Sequence, residues 1–220
     1  MKLNEEVNNY MQIGREMETS RRARGRPKHI DDGQVLDAVL GVFWEKGYAG
    51  SSLSDLAEAA GVSRPRLYDA LTDKSSMYLA VLDRVIGETK AALDFALPAK
   101  RPLHDEISTF LEMSIDHYVS GTKSRGCLVM CTAPAEALET PVVRTALGRM
   151  IAVLDNAFEK RFQTAQDRGE IGSALSAAML GRQATAMVQS LALRARSGTD
   201  INEMRSIARA AATLMSGDLQ

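Results

Sequence analysis

A chain of 220 residues with 45% hydrophobic and 25% charged residues has ordinary globular composition, enough for one large domain or two small ones. It holds no apolar run of the ~18 residues a membrane span needs, and its first ten residues, MKLNEEVNNY, hold no apolar signal core, which predicts a cytoplasmic protein without a membrane partner. Two cysteines, Cys127 and Cys131, are too few to staple a secreted fold, and a net charge of -1 excludes binding nucleic acid through bulk positive charge.

Positive charge is local instead. Residues 1–20 show no apolar period and read as a frayed extension. Arg21, Arg22, Arg24, Arg26 and Lys28 then form a basic run broken by Gly25 and Pro27. Such a run is too polar to pack, and its alternatives are a merely solvated tail or an arm that follows phosphates or enters a minor groove. Because the run abuts the segment described next, we read residues 1–29 as a flexible extension with a DNA-contacting arm, with Arg24, Arg26 and Lys28 as its contacts.

A first helix is signalled from Asp31 or Asp32 by an acidic start and by Val35, Leu36, Val39, Leu40, Val42 and Phe43, ending at Gly47. Trp44 and Tyr48 at its end are expected to pack it onto the next two helices. The stretch 51–74 then reads as two short helices about a tight turn. Leu53, Leu56, Ala57 and Ala60 keep helical spacing behind capping serines, and Gly61 supplies the left-handed backbone that ends the helix. Ser63 caps a second helix over 64–71 with Pro65 in its first turn. Two helices so joined form a helix-turn-helix, whose second helix can lay its N-terminal side chains, here Ser63, Arg64 and Arg66, against base edges in a major groove. The competing reading is an ordinary helical hairpin in a bundle.

Further helices follow. A long fourth, from Asp73 or Lys74 to Leu97, links the head mechanically to the rest and is broken by Pro98 and Pro102; a fifth runs over 103–118. A sixth, apolar segment starts at Cys127 and is interrupted by Pro134; a seventh starts at Pro141 and keeps spacing to Gly169. The eighth opens at Ser173 with small residues Ala177, Ala178, Gly181, Ala184 and Ala186 that admit a close neighbour, and a ninth spans 201–215. Nothing alternates with period two, so the expected fold is all-α, about nine helices, with the head at residues 30–76 and a bundle at 77–220.

The sequence resembles the tetracycline-repressor (TetR) family of transcriptional regulators, through GRPKHID and FWEKGYAGSSLSDLAEAAGVSRPRLYDALTDKSSMY. The family's elements stand in order as Phe43, Gly47-Tyr48, Ser51-Ser52, Gly61-Val62-Ser63, Leu67-Tyr68 and Lys74, while Leu71 replaces the usual Phe and Arg66 a usual small residue. The resemblance implies that Ser51, Ser52, Tyr68 and Lys74 hold phosphates while Ser63, Arg64 and Arg66 face the groove. It implies too a homodimer on a palindromic double-stranded operator, dimerised through helices eight and nine, the small-residue face of helix eight included. A small apolar or amphipathic effector would bind among helices four to eight and move helix four. Pocket candidates are Phe110, Met113, His117, Met130, Met150, Leu154 and Met187, the methionines because they adapt to several shapes.

No nucleophile-base pair, phosphate loop or metal motif is evident, so neither enzyme nor cofactor is expected. Cys127 and Cys131 share a helix face, but His29, His104 and His117 complete no zinc spacing, and buried small hydrophobes are the default. The alternative function is a small-molecule-binding bundle or enzyme that does not touch DNA.

Overall fold

The computed structural model describes residues 32–121 and 123–217. Among them are nine α-helices and no strand: α1 (Asp32–Lys46), α2 (Leu53–Ala60), α3 (Arg64–Leu71), α4 (Lys74–Ala96), α5 (Leu103–Tyr118), α6 (Leu128–Glu136), α7 (Pro141–Asp167), α8 (Ala177–Arg196) and α9 (Ile201–Ser216). None is long and apolar enough to cross a membrane. The basic arm with Arg24, Arg26 and Lys28 lies outside the described residues.

Caps decide where the head's helices begin. Ser52 Oγ accepts from Asp55 N–H (3.1 Å) and Asp55 Oδ2 accepts from Ser52 N–H (2.8 Å), a reciprocal box that starts α2. Gly61, at φ +64°, closes it. Ser63 Oγ caps α3 through Arg66 N–H, and Asp73 Oδ1 caps α4 through Ser76 N–H (2.7 Å). Helix α4 runs unbroken from head to body, about 34 Å at ~1.5 Å per residue. One continuous core, from Val35 and Phe43 through Met77, Val81 and Ile107 to Phe158 and Leu191, lies under all nine helices.

Three expectations needed correction. Helix α6 continues through Pro134 to Glu136: the proline forfeits one backbone donor in the final turn, a position where the ladder is about to end. The cap of α8 is Ser176, which accepts from Met179 N–H, and not Ser173; Gln166 Nε2 ties the preceding loop by donating to Leu175 O (2.8 Å). Ala177, Gly181 and Ala184 of α8 do admit a close neighbour, as expected, and within the chain that neighbour is α7. Ala177 and Ala184 are buried, and a Cβ on Gly181 would lie 2.9 Å from Glu159 N, so α7 and α8 form the most extensive helix pair. Finally, Trp44 and Tyr48 face α4 and the body rather than α2 and α3. Tyr48 stacks with Phe43 and lies 5.2 Å from the Tyr78 ring of α4, while Trp44 donates to Gly126 O (2.9 Å).

Gly126 is irreplaceable on two counts. Its φ is +66°, and an added Cβ would sit 2.3 Å from Ala192 O on α8. Gly198 shares a positive φ of +84° but has open space around it. Gly126→Ala is expected to cost about 2–5 kcal/mol, strain plus collision, while Gly198→Ala costs about 1–2 kcal/mol of strain alone. Denaturant unfolding of the two variants checks the difference.

Candidate nucleic-acid interface

Three helix starts meet at one end of the head. The Arg64 guanidinium of α3 donates to Ser54 Oγ in the first turn of α2, and Arg66 Nη2 donates to Asp32 Oδ1 in the first turn of α1 at 2.8 Å. Orphan N–H groups and the positive end of each macrodipole are therefore gathered there, a setting that favours anionic phosphate oxygens. Ser52, Ser63 and Arg64 are exposed, Arg66 is half-buried, and Tyr68 is 40% exposed between buried Leu67 and the surface. Lys74 Nζ, at the start of α4, stands 4.4 Å above the Tyr48 ring.

Ser51 is placed differently from its neighbour. It is buried and donates to Tyr48 O (2.9 Å), so its hydroxyl shapes the turn before α2. Ser52 remains at the surface, its Oγ donating to Asp55 Oδ2. Lys46 and Ser52 bond the Asp55 carboxyl and hold it below the usual carboxylate range. The partners Asp32 and Ser54 were not singled out from sequence; their first-turn positions were legible, but their pairing across helices left no local period.

A second group of contacts joins head to body. Besides the Trp44 bond to Gly126 O, the Arg125 guanidinium lies 4.8 Å over the Trp44 ring and the His117 ring lies tilted against it at 5.0 Å. Arg196 Nη1, at the end of α8, donates to both Trp44 O and Arg125 O at 3.2 Å. Thr132 Oγ1 donates to Leu128 O, and Tyr78 OH in turn meets Thr132 Oγ1 at 2.7 Å. Ala49 N–H reaches Glu136 Oε1 at 3.3 Å. Thus both ends of α6 touch the α1 side of the head.

The seven pocket candidates are not gathered about a single cavity. Phe110, Met130, Met150 and Leu154 are buried in the continuous core, with Phe110 edge-on to Phe158 at 5.5 Å; Met113 and Met187 pack at its margin. His117 is exposed and belongs to the Trp44 junction. The described depressions, of about 440 Å³ by Lys100, Arg101 and Arg168 and about 390 Å³ along α7, are lined by none of the seven. Burial pushes the Cys127 thiol up to about 11 and raises Cys131, keeping both protonated at neutral pH.

Residues 35–81 match the profile of the family described as bacterial regulatory proteins, tetR family. The chain is 26% identical over 189 residues to the HTH-type transcriptional repressor ComR of Escherichia coli (strain K12), covering 86% of this chain and 90% of that one. Its fold matches the TetR family transcriptional regulator CifR, solved with a 26bp double-strand operator DNA, with a TM-score of 0.76 at 23% identity over 85% of this chain and 98% of that one. It also matches the transcriptional regulator FadR from Bacillus subtilis, solved with stearoyl-CoA, with a TM-score of 0.70 at 14% identity over 86% and 100% of the two chains. A family profile over the head, a relative matched over most of its length and the same fold in solved regulators agree: residues 35–81 carry the profile of the bacterial regulatory proteins of the tetR family, and the chain as a whole is similar to transcriptional regulators of that family.

Proposed function

We propose that the protein is a homodimeric repressor that holds a palindromic double-stranded operator and is released from it by a small apolar or amphipathic effector, with no catalytic role of its own. The observation that carries the reading is the meeting of three helix starts around Ser63, Arg64 and Arg66, flanked by Ser52, Tyr68 and Lys74. Hydroxyls and the Lys74 ammonium position the head on phosphates, while arginine matches guanine O6 and N7. Residues 30–76 are the DNA-binding unit, 77–220 the effector and dimerisation unit, and Arg24, Arg26 and Lys28 add phosphate or minor-groove contacts. Shift assays on DNA upstream of its own gene, at several salt concentrations, test this; absence of binding by the intact protein sinks it in favour of a bundle without DNA.

Dimerisation falls to the outward faces of α8 and α9. Met179 and Leu193 on α8 and Leu214 on α9 are 46%, 56% and 65% exposed, large apolar side chains at spacings that form outward stripes. Two heads so joined reach successive major grooves about 34–36 Å apart. Leu193→Glu with Leu214→Glu is expected to give a folded monomer by sedimentation, with operator affinity down at least a hundredfold.

Effector coupling has two routes through the fold. Helix α4 carries body motion straight into the head, and α6 carries it to α1 through Trp44, Tyr78 and Glu136. An effector reaches Phe110, Met130, Met150 and Leu154 by displacing core side chains, which flexible methionines allow. Met113, Met187 and His117 line the approach. Coupling of this kind amounts to about 1–3 kcal/mol.

A further inference from the structure

The last turn of α8 is fastened directly to the head. Arg196 Nη1 donates to Trp44 O in the last turn of α1 and to Arg125 O in the segment before α6, both at 3.2 Å. Trp44 O is one of the last four carbonyls of α1, a group its own helix leaves to be satisfied from outside. Trp44 in turn donates to Gly126 O (2.9 Å) and carries the Arg125 guanidinium over its ring. One turn back along α8, Ala192 O accepts from Cys131 Sγ at 3.6 Å and lies too close to Gly126 to admit a Cβ there. Thus α1 rests on the 125–126 segment, that segment rests on α8, and Arg196 closes the triangle. Its exposed neighbour Arg194 spends its side chain within the body, on Ser190 Oγ (3.3 Å) and Glu203 (4.0 Å). Leu193, three residues before Arg196 and 56% exposed, stands on the face assigned above to the second copy.

We propose that Arg196 is a specificity-determining positioning residue for the spacing of operator half-sites, because it fixes the angle of each head against the helix that carries the dimer contact. The inference rests on the dimeric, DNA-binding reading above. Helix α4 joins head to body along one rod; an attachment to one side of that rod, at the end of α1, resists rotation about it. In a two-fold dimer any freedom in the angle between head and α8 enters twice, once in each subunit. Inserting one base pair between half-sites moves them apart by about 3.4 Å and turns one against the other by about 35°. Heads held at a fixed angle meet such a site only by straining DNA or protein, whereas loosely hung heads follow it. Base preference is set on α3, so specificity for spacing and specificity for sequence are separable.

The test uses the full-length protein, a duplex selected by it from a randomised pool, the same duplex with one base pair inserted or removed at its centre or changed within a half-site, and a scrambled duplex. The unaltered protein should lose about tenfold or more in affinity when the spacing changes. In Arg196→Ala that penalty is expected to shrink to about threefold or less, with base preference inside each half-site kept. Affinity for the selected duplex should fall about 3–10-fold, since a loosely held head loses more freedom on binding. Arg196→Met, which keeps the apolar stem and loses every donor, should behave in the same way. Arg194→Ala removes an equal charge from the same turn without touching the head, and should retain the spacing penalty. Sedimentation and circular dichroism should show folded dimers throughout. An unchanged penalty in the Arg196 variants, an equal relaxation in Arg194→Ala, or a monomeric or unfolded Arg196→Met overturns the proposal, the last because the residue then serves the dimer or the fold. So does an unaltered protein that discriminates selected from scrambled DNA but ignores spacing. If the unaltered protein is itself a monomer, or binds selected and scrambled duplexes alike, the regulator reading falls and takes this one with it.

Discussion

Arg161→Ala is expected to lower the stability of the body by about 3–5 kcal/mol, moving the thermal midpoint down by roughly 6–20 °C. Arg161 is 1% exposed and Glu106 not at all, and Arg161 Nε donates to Glu106 Oε2 at 2.5 Å. The same guanidinium donates through Nη2 to Arg101 O (3.0 Å) and Glu170 Oε2 (3.1 Å). Glu106 in turn accepts from the backbone N–H groups of Ala99 (3.1 Å), Lys100 (2.9 Å) and Arg101 (3.0 Å), so one carboxylate organises the whole turn between α4 and α5. Replacing a buried ion pair by apolar residues is often harmless. Here it is not expected to be, because Glu106→Leu with Arg161→Leu would also orphan three backbone donors.

The same cluster sets an acid limit. Burial pushes the Glu106 carboxyl up, but the Arg101 N–H, the Arg161 guanidinium and the Lys100 N–H outweigh it and hold the group below its ordinary value of 4.5. A carboxyl depressed on folding stabilises above its unfolded pKa, and the gain is lost as pH falls through its folded one. Stability should therefore decline below about pH 4.5, and Glu106→Gln should be less stable at pH 7 with a shallower decline in acid.

Arg64→Ala with Arg66→Ala is expected to reduce affinity for the selected operator by about three orders of magnitude, since each well-placed arginine contact is worth about 1–3 kcal/mol. Arg66→Ala alone should relax preference at one base pair, whereas Lys74→Ala should weaken selected and scrambled DNA together and make the salt slope shallower by about one. Titrations on both duplexes at three salt concentrations separate them. Neither arginine change should unfold the head, because Arg64 is exposed and the Asp32 pair is surface-borne, while Leu67 and Phe43 carry the core.

Helix starts were legible wherever a cap declared them, as at Ser52, Ser63 and Asp73, because a cap is a contact within three residues. Trp44 was misassigned because its partner, Gly126, lies 82 positions away and leaves no periodic trace near the tryptophan. Glu106 and Arg161 were invisible for a different reason: charge reads as surface. The available signal was that Glu106 shares a stripe with Leu103 and Phe110, and Arg161 one with Leu154, Phe158 and Ala165. The small residues of α8 were noticed, but composition alone cannot tell a neighbouring helix in the same chain from one in a second copy. Of the interface, the residue types on α3 were readable and their partners on α1 and α2 were not.

Selection from a randomised duplex pool by the intact protein, near 0.15 M salt, tests the regulator reading most directly. The expected product is an inverted repeat whose half-sites are centred about 10–10.5 base pairs, or a multiple of that, apart. A pool that emerges without any enriched repeat would contradict it.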